Sequence, residues 1–495
     1  MKYLSTRDAA LQKTAAEVIA QGLSRDGGLF TPAEFPTMPA GMLQELVSMN
    51  YQQRAVKIMK LYLDEFTEEE LTEYASKAYA YGEKFDTEAV APVHSINGQT
   101  SMLELWHGPT CAFKDMALQM LPYLLTASLR KTGEEKTACI LVATSGDTGK
   151  AALEGFCDVD HTKILVFYPR DGVSDIQKLQ MVTQKGENVG VCSVHGNFDD
   201  AQTGVKKIFS DPELRETLAE RGYFFSSANS INWGRVLPQI VYYISAYCDL
   251  VKDGKIEMGD KINFCVPTGN FGDILAGYYA KTMGLPVNML ICASNSNNVL
   301  TDFLKTGVYN RNRPFYTTVS PSMDILISSN LERMLYQLSG SADEVRGYME
   351  KLSADGKYEV SDALKQQLTQ VFAAGWCSDE DALASITRLF GEEGYLMDTH
   401  TAVAYNVLEK YRTETGDETY SVVVSTASPY KFCSSVLEAL GVSEMKPGTE
   451  IIQQLEEKSR TTAPAPLKGL AGRKVRFTEE TDKENMPEVV LGMLS

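Results

Sequence analysis

The chain has 495 residues, more than one hydrophobic core ordinarily supports, and its 44% hydrophobic and 23% charged residues exclude a disordered, fibrous or disulfide-scaffold class. Its 47 basic against 65 acidic side chains leave a net charge of −18, which repels nucleic-acid backbones and anionic bilayers alike, so neither is an expected partner. Any anionic ligand must therefore be captured by a local cluster of donors. The nine cysteines contain no C-x-x-C pair and fall mostly in apolar runs, so they read as reduced core thiols. Met1 to Arg7 carries no apolar signal core, and no stretch reaches the roughly 18 apolar residues that a bilayer span needs. A cytoplasmic location is expected. Five scattered histidines, without Cys/His grouping, make a metal site improbable.

In chain order, residues 1–85 carry apolar residues at helical spacing in Ala9 to Leu23, Met42 to Met49, Tyr51 to Leu63 and Glu68 to Ala78, which predicts a separate N-terminal helical unit. From about Ser101 short apolar runs alternate with loops and helical patterns, as in a parallel α/β sheet. The predicted strands are Ala138 to Ala143, Ile164 to Phe167, Val189 to Val194, Ile262 to Val266, Met289 to Ala293 and Ser421 to Ser425. Phe303 to Ser385 reads as a helical extension of the 86–440 region, and 441–495 as a polar tail packing on the surface. Ligands of open α/β sheets bind at the carboxyl ends of strands, which directs attention to the loops there.

Four segments carry candidate chemistry. In His107-Gly-Pro-Thr-Cys-Ala-Phe-Lys114-Asp, Lys114 sits between an aromatic residue and an aspartate at the entrance to a buried helix. An apolar setting near a helix N-terminus lowers an amine pKa, as a Schiff-base nucleophile requires; a surface lysine in a first helical turn is the plainer reading. Pro122 should kink or shorten the helix that follows. In Gly269-Asn-Phe-Gly272-Asp273 a strand runs through a glycine-bracketed turn into a helix, which suits either phosphate binding or a simple tight turn capped by Asp273. Thr144-Ser-Gly-Asp-Thr-Gly149 is a hydroxyl-rich turn that can bind an anion or only cap its helix. Ser226-Ser-Ala-Asn229-Ser230-Ile-Asn232-Trp-Gly-Arg235 gathers amides, hydroxyls and an arginine that can fork a phosphate or lie on the surface.

Together, His107 to Thr110, Ala112 to Asp115, Thr144 to Gly149, Ser227 to Asn232 and Gly269 to Asp273, in that order, resemble the threonine synthase family. The opening Gly22-Leu-Ser-Arg-Asp-Gly-Gly-Leu-Phe-Thr-Pro32 also resembles that family's N-terminal domain. The resemblance implies a fold-type II pyridoxal-phosphate enzyme, tryptophan synthase β-like, with two parallel-sheet subdomains plus the N-terminal domain. It implies conversion of O-phospho-L-homoserine and water to L-threonine and phosphate, with pyridoxal 5′-phosphate on Lys114 and its phosphate held by Gly269, Asn270, Phe271, Gly272 and Asp273. It further implies that the Thr426 hydroxyl faces the pyridine nitrogen. Asp147 stands where relatives place an amide near the phenolic oxygen, so its carboxylate must be protonated or turn away. Substrate contacts fall to Thr144, Ser145, Thr148, Asn229, Ser230, Asn232 and Arg235. Ser428 departs from the family's usual histidine. A monomer or homodimer is expected. The competing readings are a serine/threonine dehydratase with the same lysine, a non-catalytic homologue that binds a phospho-ligand, and a nucleotide-binding α/β protein. The last is disfavoured by the lack of a dinucleotide or P-loop fingerprint.

Overall fold

The chain opens with strands rather than helix. In the computed structural model, which describes residues 1–144, 146–170, 173–196 and 198–494, β1 (Tyr3–Ser5) pairs antiparallel with β2 (Asp8–Lys13) and β3 (Phe30–Pro32). The helix expected over Ala9 to Leu23 is therefore confined to α1 (Ala15–Gln21), and the N-terminal unit is not purely helical. The change happens at Thr14. Its hydroxyl accepts from the Glu17 amide while the Glu17 carboxylate accepts from the Thr14 amide, a capping box that starts the helix and leaves the preceding residues free to pair with β1. Next come α2 (Met42–Val47), α3 (Tyr51–Lys60) and α4 (Glu68–Ala78), the last two started by capping boxes on Asn50 and Thr67.

The hairpin β4 (Val93–Asn97) and β5 (Thr100–Glu104) leads to α5 (Lys114–Leu118) and α6 (Leu121–Thr132). Pro122 lies in the first turn of α6, where its missing N–H costs nothing, so it separates two helices instead of kinking one. A run of β6 (Thr137–Ala143), α7 (Asp147–Gly155), β7 (Thr162–Pro169), α8 (Asp175–Val182), β8 (Val189–Val194), α9 (Phe198–Ser210), α10 (Pro212–Glu220) and β9 (Tyr223–Ser226) builds the smaller sheet. The long buried α11 (Trp233–Lys252) crosses to the larger one. There follow β10 (Ile262–Pro267), α12 (Gly272–Thr282), β11 (Val287–Ser294), α13 (Val299–Thr306), β12 (Val308–Asn310), α14 (Leu331–Ser339), α15 (Ala342–Asp355), β13 (Lys357–Glu359), α16 (Asp362–Val371) and β14 (Phe372–Trp376). The chain ends with α17 (Asp379–Glu393), α18 (Thr399–Thr415), β15 (Ser421–Ser425), α19 (Cys433–Ala439), α20 (Glu450–Ser459), α21 (Ala465–Lys468), β16 (Glu480–Thr481) and α22 (Met486–Met493).

The larger sheet has the order β14-β11-β10-β15-β5-β4 and is parallel except for β4. The smaller has the order β16-β8-β7-β6-β9 and is parallel throughout. The six strands read from sequence are all present, because their continuous apolar runs are buried on both faces. Phe303 to Ser385 is not only helical: β12 and β13 pair with each other, and β14 extends the larger sheet beside β11. The tail does more than coat the surface. Ile451, Ile452, Leu455 and Leu467 are buried in the core of the larger domain, while β16 pairs with β8 and Met486, Val490 and Leu494 complete the core of the smaller one. Among the described residues no helix is long and apolar enough to cross a membrane.

Candidate active site

The carboxyl ends of both sheets converge on a narrow inner pocket lined by Lys114, Asp147, Arg235, Gly269 to Asp273, Ser322, His400 and Thr426, among others. Lys114 opens α5, and its loop is pinned from behind. The Phe113 amide donates to the Thr426 carbonyl at 2.8 Å, the Ser428 amide donates to the Cys111 carbonyl at 3.0 Å, and Ala112 bridges Ala427. Asp115 turns away from the pocket and accepts from the amide and hydroxyl of Thr110, both at 2.8 Å. Lys114 and Thr426 are thus fixed as neighbours although 312 positions separate them in the sequence.

Opposite Lys114, the loop after β10 turns into α12 through Phe271, which holds a left-handed φ of 62°. Its carbonyls are tied outwards. The Ser328 hydroxyl donates to the Gly269 carbonyl at 2.7 Å, and the Asn330 side chain donates to the Asn270 carbonyl at 3.0 Å. A Cβ on Gly269 would stand 3.1 Å from the Ser322 carbonyl, and one on Gly272 would stand 3.3 Å from the Asn330 side-chain amide, so a side chain at either position would crowd its neighbour. The first-turn amides of α12, which a helix cannot satisfy internally, stand at the positive end of its dipole on the pocket wall.

Electrostatics sort the pocket's charges. Burial pushes the Lys114 amine down to about 8, and the nearby Arg235 charge adds to the effect. Asp147 is buried, which alone would raise its pKa, yet the Lys431 ammonium 3.0 Å away and the Gln177 amide at 2.9 Å hold it down to about 2. Asp147 is therefore an ionised, paired carboxylate, neither protonated nor turned away from the pocket. Asp273 is raised by burial in spite of hydrogen bonds from Tyr242 at 2.6 Å and Tyr243 at 2.7 Å. His400 is fixed by Asp398 at 2.7 Å on Nδ1, so Nε2 accepts from the Ser322 amide at 3.1 Å.

The pocket opens into a cleft of about 1260 Å³ between the two sheets and the N-terminal unit, lined by Thr144, Thr148 and Asn229 and sharing Lys114, Asp147, Ser230, Asn270 and Ser322 with the pocket. The Thr144 hydroxyl accepts from the Gly146 and Gly149 amides, both at 2.9 Å, and so shapes the turn that delivers Asp147. Asn232 lines neither cavity: its side chain donates to the Ile19 and Ser227 carbonyls and caps α11 through the Gly234 amide. Arg235 lines the inner pocket alone. Ser145 lies outside the described residues. Sequence reasoning missed Lys431, His400, Gln177 and Ser322. Only Lys431 gave a signal, since it stands in the same Ser425-to-Phe432 stretch as Thr426.

Comparison with known proteins shows the family. Three family profiles match: threonine synthase N terminus over 2–79, pyridoxal-phosphate dependent enzyme over 102–427, and threonine synthase, C-terminal, over 401–490. The chain is 42% identical over 463 residues to threonine synthase-like 1 of Homo sapiens, covering 90% of this chain but 61% of that protein's length. It is 35% identical over 522 residues to threonine synthase of Saccharomyces cerevisiae, covering 99% of each. The crystal structure of pyridoxal-phosphate-bound threonine synthase from Brucella melitensis superposes with a TM-score of 0.88 at 36% identity, covering 100% of this chain and 99% of that one. The lysine loop, the glycine-bracketed helix start and the full-length matches lead to one conclusion: the chain belongs to the threonine synthase family of pyridoxal-phosphate dependent enzymes.

Proposed function

We propose that the protein is a threonine synthase, which converts O-phospho-L-homoserine and water to L-threonine and inorganic phosphate with pyridoxal 5′-phosphate carried on Lys114. The observation that carries this reading is one pocket in which a lysine of lowered pKa faces the N-terminus of α12 across the Gly269–Gly272 loop. The pocket suits the cofactor. The glycine-bracketed loop opens a helix whose first-turn amides face it, and the buried Arg235 Nε and Asp273 Oδ2 have no hydrogen-bond partner among the described residues. Gly269 to Asp273 would hold the phosphate end, Thr426 would meet the pyridine nitrogen with a neutral hydroxyl, and Asp147 would stand near the phenolic oxygen with its charge matched by Lys431.

When bound, the cofactor supplies the electron sink for this chemistry. The protein supplies position and proton handling. With an amine pKa of about 8, Lys114 Nζ is partly neutral at physiological pH and would take and return protons at the substrate's Cα and Cβ. Thr144, Thr148, Asn229 and Ser230 present hydroxyls, amides and backbone groups at the mouth, where the substrate's carboxylate and phosphate would be oriented. The acidic composition argues against nucleic-acid partners.

The test is phosphate release from O-phospho-L-homoserine, with the amino-acid product identified and Lys114→Ala as control. Equal phosphate and threonine from the wild type and none from the variant are expected. A pyridoxal-bound protein that releases no phosphate, but deaminates serine or threonine, would replace this reading with the dehydratase one.

A further inference from the structure

His107 opens the motif that leads to Lys114, yet it lines neither cavity. Its ring is 14% exposed and lies between two carboxylates, with Nδ1 2.6 Å from Asp86 and Nε2 2.9 Å from Glu104. A neutral imidazole has one N–H and one lone pair, so one of these contacts would set lone pair against lone pair; only the imidazolium donates at both ends. Burial alone would lower the ring's pKa, but its hydrogen bonds to Asp86 and Glu104 raise it to about 9. Trp106 stacks on the ring with centroids 4.3 Å apart. Among the described residues Asp86 and Glu104 are the charged groups in contact with it, and Tyr395 reaches it only through Glu104.

The clamp joins segments that carry pocket residues. Asp86 lies on the segment leaving the N-terminal unit, and its amide donates to the His107 carbonyl at 3.1 Å. Glu104 ends β5, and its other oxygen accepts from the Tyr395 hydroxyl at 2.9 Å, just before α18 and His400. Trp106, between Glu104 and His107, donates to the Ser425 hydroxyl at 3.1 Å, beside Thr426. Beyond His107 the lysine loop closes on itself: a Cβ on Gly108 would stand 2.6 Å from the Asp115 side chain, which in turn holds Thr110. Resting on Lys114 as the cofactor's lysine, as proposed above, we infer that His107 is a positioning residue for Lys114. Its imidazolium fixes the entrance of the lysine loop to β5, to the segment at Asp86 and, through Glu104, to the approach to α18, and so keeps Lys114 in its water-poor setting.

The pH dependence of pyridoxal 5′-phosphate capture by the cofactor-stripped, full-length chain tests this, followed by absorbance. His107→Gln keeps a donor but loses the charge, so water should reach Lys114 and the midpoint of capture should rise from about 8 by at least about half a pH unit, slowing capture at neutral pH about threefold or more. His107→Arg, a cation with donors for both carboxylates and a flat face for Trp106, should restore the wild-type midpoint. Asp86→Ala, at a half-exposed position, should shift the midpoint the same way by a smaller amount, and it decides the matter if the glutamine variant does not fold. A glutamine variant that loses stability in urea but keeps the wild-type midpoint would overturn the assignment and leave His107 a purely structural ion pair. An arginine variant no better than the glutamine one would overturn it too. Capture that persists in Lys114→Ala would show a different failure, that of Lys114 as the cofactor's lysine.

Discussion

Asp147 and Lys431 meet 3.0 Å apart with the ammonium fully buried, and Lys431 also donates to the Thr110 carbonyl at 2.8 Å and to Gln180 at 2.9 Å. Removing one partner of such a pair leaves the other charge stranded. Lys431→Met should therefore cost roughly 3–5 kcal/mol in urea unfolding, and adding Asp147→Asn should restore most of it, because two neutral groups leave no stranded charge. The pH dependence has a definite sign. The folded pKa of Asp147, about 2, lies below its ordinary value of 3.8, so its contribution is present above about pH 4 and is lost as pH falls through 2. That contribution is on the order of 2 kcal/mol, and Asp147→Asn should remove that part of the acid-unfolding slope. Lys114 makes a separate prediction. With an amine pKa of about 8, capture of pyridoxal phosphate by stripped protein should speed up about tenfold per pH unit below 8 and level off above it, followed by the rise of the cofactor's absorbance. Lys114 and the Gly269–Asp273 loop were legible in the sequence because each is a contiguous motif. Lys431 and His400 were not assigned a role, because His400 reaches the pocket, and Lys431 reaches Asp147 behind it, only when α18 and the turn after β15 fold beside the lysine loop.

At the scale of elements, the position of Lys114 depends on how closely α7 packs against α5. A Cβ on Gly155 would stand 2.1 Å from the Leu118 carbonyl, a backbone atom that cannot swing aside. Gly155→Ala should push the two helices apart, lower stability by about 1–3 kcal/mol and weaken cofactor binding, measured by urea unfolding and by absorbance titration. The same reasoning explains a strand the sequence hid. In β14, Phe372-Ala-Ala-Gly-Trp376 has too few large apolar residues to signal a buried strand, yet Gly375 is needed because a Cβ there would meet a Val407 methyl at 2.8 Å. The strand Asp8–Lys13 was read as helix because its alanines and leucine also fit helical spacing; the Thr14–Glu17 capping box marked the true boundary.

Across the whole molecule, the last segment ties the two sheets together. It leaves the larger domain after Leu470, passes Arg476, which donates to the Gln184 carbonyl at 2.7 Å and the Gly186 carbonyl at 3.0 Å, and ends with Met486, Val490 and Leu494 inside the smaller domain. Truncation after Lys474 removes three buried apolar side chains, each contributing about 1.5–3 kcal/mol. The smaller domain should then unfold first, seen as a separate early transition in urea and as loss of cofactor binding.

The sequence by itself determined the family, the βα alternation and the two contiguous motifs, because apolar periodicity and turn chemistry are local properties written over a few neighbouring residues. Only the tertiary structure decided that Asp147 is ionised, that Arg235 belongs to the inner pocket and Asn232 to a helix cap, and that the tail is part of both cores. Each of those outcomes depends on burial and on partners distant in sequence, which set a group's charge and direction and which no single segment contains.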